Sequence, residues 1–79
     1  DEINDTYKFE GLFAKKLEIQ IFDRWGKLIF WSNKVDFEWY GKDKNTGKLC
    51  PQGSYNIKYK ITGYDEYSIE DEIPIMLLR

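Results

Sequence analysis

The sequence predicts an all-β fold, a small antiparallel immunoglobulin-like β-sandwich of about seven short strands. Three observations carry that prediction. No stretch of the 79 residues sustains a helical apolar period. Short runs alternate apolar with polar side chains, which is the period of a half-buried strand. Gly, Asn, Asp and Pro punctuate the chain between those runs, at the spacing of all-β sandwiches. A small barrel is the alternative closure.

A first strand is expected over 6–10, where Tyr7 and Phe9 share a face, and Gly11 ends it. Residues 12–16 read as a short connection with room for one helical turn. Leu17, Ile19 and Ile21 alternate through a strand over 17–22. Asp23-Arg24-Trp25-Gly26 is then a hairpin turn, because a Gly late in a short connection supplies the positive φ it needs. The return strand over 27–31 is expected to set Leu28 and Phe30 against Lys27 and Ile29. Another short strand is expected over 35–39, with Val35, Phe37 and Trp39 on one face. Residues 40–53 form a long polar loop with turn chemistry at Gly41, Asn45, Gly47, Pro51 and Gly53. The cleanest strand covers 54–62, with Tyr55, Ile57, Tyr59 and Ile61 facing one way and Asn56, Lys58, Lys60 and Thr62 the other. After a turn at 63–66, residues 67–79 return as one long strand or two. Pro74 requires an edge position there, or a bulge nearby.

Composition narrows the function. Twelve basic and 14 acidic residues give a net charge of −2, so nothing favours nucleic acid as a partner. The absence of histidine removes the usual general base and the commonest metal ligand. No nucleophile elbow or phosphate-cradling loop is present, and Cys50 precedes a proline with no base beside it in sequence. Glu70, Asp71 and Glu72 alternate across a strand and do not converge on one substrate. Asp1, Asp5, Asp36, Asp43, Asp65 and Asp71 offer oxygen ligands, but no calcium-loop spacing joins them. The expectation is therefore no enzyme, no metal and no cofactor. No signal peptide or membrane-spanning run is present, and direct membrane insertion is not expected. The chain starts at Asp1 and reads as a single domain, 1–79, cut from a longer precursor. Nothing in it specifies an oligomeric state.

Two motifs remain. Trp39, Gly41, Asp43, Pro51, Gly53 and Tyr55 form the pattern W-x-G-x-D followed by P-x-G-x-Y. Trp39 would end a strand and pack inward, and Gly41 would let the backbone turn. Asp43 would close the loop by accepting backbone N–H groups, and Pro51 and Gly53 would set the corner before Tyr55. A structural corner and a ligand site are both open readings of it. The second motif is the Arg24-Trp25 tip. Small polar residues do the work of an ordinary turn, so an indole there answers either to packing over the sandwich edge or to recognition of a partner. Trp31, Phe37, Tyr40, Tyr64 and Tyr67 offer aromatics for an adhesive or carbohydrate-binding module, the alternative function.

Taken together, these motifs resemble the type B C-terminal sorting domain of the Bacteroidetes type IX secretion system, the gliding-motility-associated C-terminal domain. That family opens with P-N-G-D-G-x-N-D-x-F-x-I, and Asp1-Glu2-Ile3-Asn4-Asp5-Thr6-Tyr7-Lys8-Phe9 is similar to that line entered midway. Ile21-Phe22-Asp23-Arg24-Trp25-Gly26-Lys27-Leu28-Ile29-Phe30 resembles the family's I-F-N-R-W-G-x-x-V-Y. Trp39-Tyr40-Gly41 and Cys50-Pro51-Gln52-Gly53-Ser54-Tyr55 resemble its W-D-G and L-P-x-G-T-Y, with Tyr40 where Asp is usual and Cys50 where Leu is usual. The chain closes on Arg79, as in the family's G-x-V-x-L-x-R, with Ile73 where Gly is usual. The resemblance implies a noncatalytic secretion signal at the C-terminus of an exported cargo. Such a domain is read by the type IX translocon and a PorP/SprF-type outer-membrane protein. It implies a route through periplasm and outer membrane to the cell surface or medium. On that reading Arg24, Trp25, Lys27 and Arg79 are the candidate recognition residues.

Overall fold

The structure is a computed structural model that describes residues 6–9 and 12–78, together with the backbone of residues 2–3. Five strands follow one another as β1 (Glu2–Ile3), β2 (Lys16–Phe22), β3 (Leu28–Ser32), β4 (Gly53–Thr62) and β5 (Ser68–Leu77). They form one sheet in the order β1-β5-β4-β2-β3. β5, β4, β2 and β3 are antiparallel, and β1 adds a parallel pair at Met76 and Leu77. The described residues are thus all-β and contain no helix.

The inner face of the sheet builds the core. Leu17, Ile19 and Ile21 of β2, Tyr55 and Ile57 of β4, and Ile75 and Leu77 of β5 are all buried. Against them lies a layer of irregular chain that contributes Phe37, Trp39 and Cys50, with Tyr7, Phe9, Leu12 and Val35 packed alongside. Ring contacts bind the layer internally and to the sheet: Phe9 stands edge-on to both Phe37 and Tyr59 of β4, with centroids 5.5 and 5.3 Å apart.

This layer is where the architecture departs from a sandwich of seven strands. Among the described residues its backbone pairs at only two isolated bridges, Tyr7 with Trp39 and Lys42 with Leu49. The alternation over 35–39 correctly marks burial, since Phe37 and Trp39 point inward. The chain nevertheless turns at Val35 and Asp36, closed by Phe37 N–H on Lys34 O, so no ladder forms. Likewise Tyr7 is the bridged residue of the expected first strand, whose Glu10 and Gly11 lie outside the described residues. Residues 12–15 make no helical turn. Lys15 N–H already bonds Thr62 O at 2.8 Å, drawing the chain into β2.

A bulge corrects the faces of β3. Ile21 opposes Phe30 and Phe22 opposes Leu28, which leaves Ile29 as an extra residue. The expected grouping of Leu28 with Phe30 is therefore broken: Ile29 is buried and Phe30 also packs on the core. Pro74 causes no such break. Gly63 N–H bonds Tyr67 O at the hairpin end, so by alternation the even-numbered residues of β5 turn their backbone groups away from β4. Pro74 is one of them, and the β4–β5 register runs unbroken past it as one strand.

Ile57 lies at the centre of this packing, fully buried. Ile57→Ala is expected to cost about 2–5 kcal/mol, read as a lowered urea midpoint with unchanged slope. Tyr7 supplies a second test. Burial, and secondarily the Tyr59 phenolate, raise its pKa above the ordinary tyrosine value. Its contribution is complete below about pH 10 and is lost as pH rises through the elevated folded-state value. Stability is expected to fall above about pH 10, and Tyr7→Phe to flatten that fall in urea melts compared at about pH 9 and pH 11.

Candidate recognition site

The β2–β3 connection is built around Asp23. Its backbone N–H bonds Lys27 O at 2.9 Å and its carbonyl accepts Gly26 N–H at 3.0 Å. Its carboxylate accepts the Trp25 and Lys27 N–H groups, each at 2.9 Å. Gly26 takes φ +81°, and the three-residue loop ends in the left-handed seat that favours Gly. The β4–β5 turn repeats this closure, with Glu66 at φ +69° in the equivalent seat.

Trp25 projects from this rigid loop and is 82% exposed. The Arg24 guanidinium lies 5.4 Å from its ring centroid, a cation–π contact. No carboxylate pairs with Arg24 among the described residues. Lys27 stands at the flank, its exposed ammonium 3.8 Å from the half-buried Asp43 carboxylate. Arg79 lies outside the described residues.

The corner motif assembles against the core. Trp39 is buried, donates its indole N–H to Lys42 O at 3.0 Å, and meets the Tyr55 ring edge-on at 5.6 Å. Tyr55 donates its hydroxyl to Pro51 O at 2.5 Å. Gly41 is buried at φ +75° and its carbonyl accepts Cys50 N–H at 2.7 Å. Asp43 accepts Asn45 N–H on its carboxylate and Gly47 N–H on its carbonyl. Tip and corner then meet: Arg24 and Trp25 line a notch of about 100 Å³ together with Pro51, Gly53 and Tyr55.

Lys44, which carries no sequence signal, and Asn45, which reads only as a turn residue, prove important to this end of the molecule. Lys44 N–H bonds Ile29 O, Asn45 bonds Leu28 O through its side chain, and the Lys44 ammonium bonds Trp31 O. The loop thereby occupies the outer edge of β3. The aromatics that might have formed a sugar platform do not gather: Phe37 is buried, Tyr64 stacks near Phe13, and Tyr40 bonds Glu38. That hydrogen bond to the Glu38 carboxylate raises the Tyr40 phenol pKa. Among the described residues no group of three His, Cys, Asp or Glu side chains is placed to hold a metal ion. No helix there is long and apolar enough to cross a membrane.

Residues 1–72 match the CHU_C type IX secretion signal domain family. The fold is similar to that of CopC from Methylosinus trichosporium OB3b, with a TM-score of 0.64 over 98% of this chain and 81% of that one. The two are 18% identical, so that likeness concerns the fold alone. No curated protein matches the chain.

The rigidity of the tip is testable at Gly26. A Cβ there meets nothing within 4 Å, so Gly26→Ala isolates the cost of the left-handed backbone. A loss of about 1–2 kcal/mol is expected in chemical denaturation.

Proposed function

We infer the function of this chain from the premise that it belongs to the CHU_C type IX secretion signal domain family, which its match over residues 1–72 establishes. The domain is a folded, noncatalytic address. The secretion machinery reads its surface and passes the attached cargo through periplasm and outer membrane to the cell surface or medium. A PorP/SprF-type outer-membrane protein is the partner that docks it.

The match over residues 1–72 carries this reading, and the tip supports its mechanism. An indole that is 82% exposed contributes little to the core, which favours contact with a partner over packing. Trp and Arg are the side chains most often found at interface hot spots. Here both are presented by a loop pinned through Asp23, so little side-chain and loop freedom remains to be lost on docking. Lys27 and Arg79 are secondary candidates at its margin. The corner built from Trp39, Gly41, Asp43, Pro51, Gly53 and Tyr55 serves as the scaffold behind it.

A fluorescent reporter carrying a signal peptide and this domain is expected to leave a type IX-competent bacterium. Retention in the periplasm, as without the domain, would refute the sorting role. Arg24→Ala with Trp25→Ala is expected to abolish export while shifting stability by only about 0.5 kcal/mol, as for exposed sites. Undiminished export of the folded double variant would remove the tip from the mechanism and leave the sorting role standing.

A further inference from the structure

The outer face of the sheet holds a groove of about 880 Å³ that shares no lining residue with the notch at the tip. Its floor is made of cross-strand neighbours: Glu18, Lys60 and Glu70 in one row, Gln20, Lys58 and Glu72 in the next. Trp31, directly opposite Gln20, forms the wall. Lys44 holds that indole from the loop side, its ammonium 4.6 Å from the ring centroid, and the ring stays 39% exposed.

Three properties together select a ligand class. The groove is electroneutral, because four lysines balance four carboxylates around it. Among the described residues no ion pair closes between the floor charges, so their head groups are available to a ligand. One wall is an aromatic surface. An anionic polymer or nucleic acid would require a net positive groove. An apolar segment would bury the charged head groups without partners. A neutral, polyhydroxylated chain satisfies all three properties, since its hydroxyls both donate and accept and its C–H faces stack on an indole. We propose that this groove binds a segment of neutral polysaccharide, with Trp31 as the stacking platform and Gln20, Lys58 and Glu72 as hydroxyl partners. The site is independent of the sorting signal and would let the domain hold a glycan surface.

Isothermal titration calorimetry of the purified domain with cellohexaose, laminarihexaose and mannohexaose tests this without any secretion machinery. At least one hexasaccharide is expected to bind with a Kd of about 1 mM or tighter. Trp31→Ala is expected to weaken that binding about tenfold or more, the equivalent of one lost stacking contact. Lys58→Ala with Glu72→Ala, both on the exposed floor, should weaken it comparably in a domain of unchanged melting temperature. Trp25→Ala should leave it unaltered. Absence of binding to all three sugars, affinity indifferent to both floor and wall variants, or binding confined to anionic oligosaccharides would each overturn the proposal.

Discussion

Trp39 is the fastening on which the rest of this structure depends. Residues 33–52, between β3 and β4, form no strand, and the irregular layer has few backbone bonds to hold it to the sheet. Trp39 ties the layer to itself by hydrogen bonds and to the sheet by its ring. Its backbone exchanges both hydrogen bonds with Tyr7, its indole N–H bonds Lys42 O, and its ring meets Tyr55 and Phe30. A large, fully buried aromatic can substitute for a ladder because its contact area is concentrated at one point. The layer therefore needs only bridges where a sandwich would need a second sheet.

The two outer edges of the sheet are handled differently. The β3 edge is occupied by its own chain, through Lys44 and Asn45. The β5 edge is blunted by side chains. Asp71 accepts the Glu72 N–H at 2.7 Å, Pro74 lacks an N–H, and β1 pairs at Met76 and Leu77. Charge and proline on an edge oppose pairing with a foreign strand. Strand addition along β5 is thereby disfavoured, whereas Arg24 and Trp25 stand clear of the sheet.

How much of this was legible in the sequence depended on how local each signal was. The strand over 54–62 was clear because β4 is central and buried on one face, so its alternation is unbroken. The Asp23–Gly26 turn was clear because its conformation is set by the residues within it. The alternation over 35–39 was misleading in one respect: it reports which side chains point inward, while pairing among the described residues reaches only Trp39, through its bridge to Tyr7. The bulge at Ile29 left no trace, since one extra apolar residue among others changes no pattern. Lys44 and Asn45 act on residues 13 and 17 positions away, and a polar loop gives no hint of such reach. The exposure of Trp25 was one of two readings that its place at a hairpin tip left open, since an indole there can fold over the edge or stand free.

The register between β2 and β4 explains why tip and corner belong to one surface. Phe22 opposes Asn56 at the end of that ladder, so the turn beginning at Asp23 emerges beside Gly53, Ser54 and Tyr55. A one-residue slip would turn Leu17, Ile19 and Ile21 to solvent, which the core forbids. The same burial that stabilises the sheet therefore places Arg24 and Trp25 against Pro51 and Tyr55. The R-W-G and P-x-G-x-Y segments, distant in sequence, form one notch because a single strand register admits no other arrangement. Their joint presence thus marks a shared geometry, and the exposed indole is the part of that geometry the core does not require.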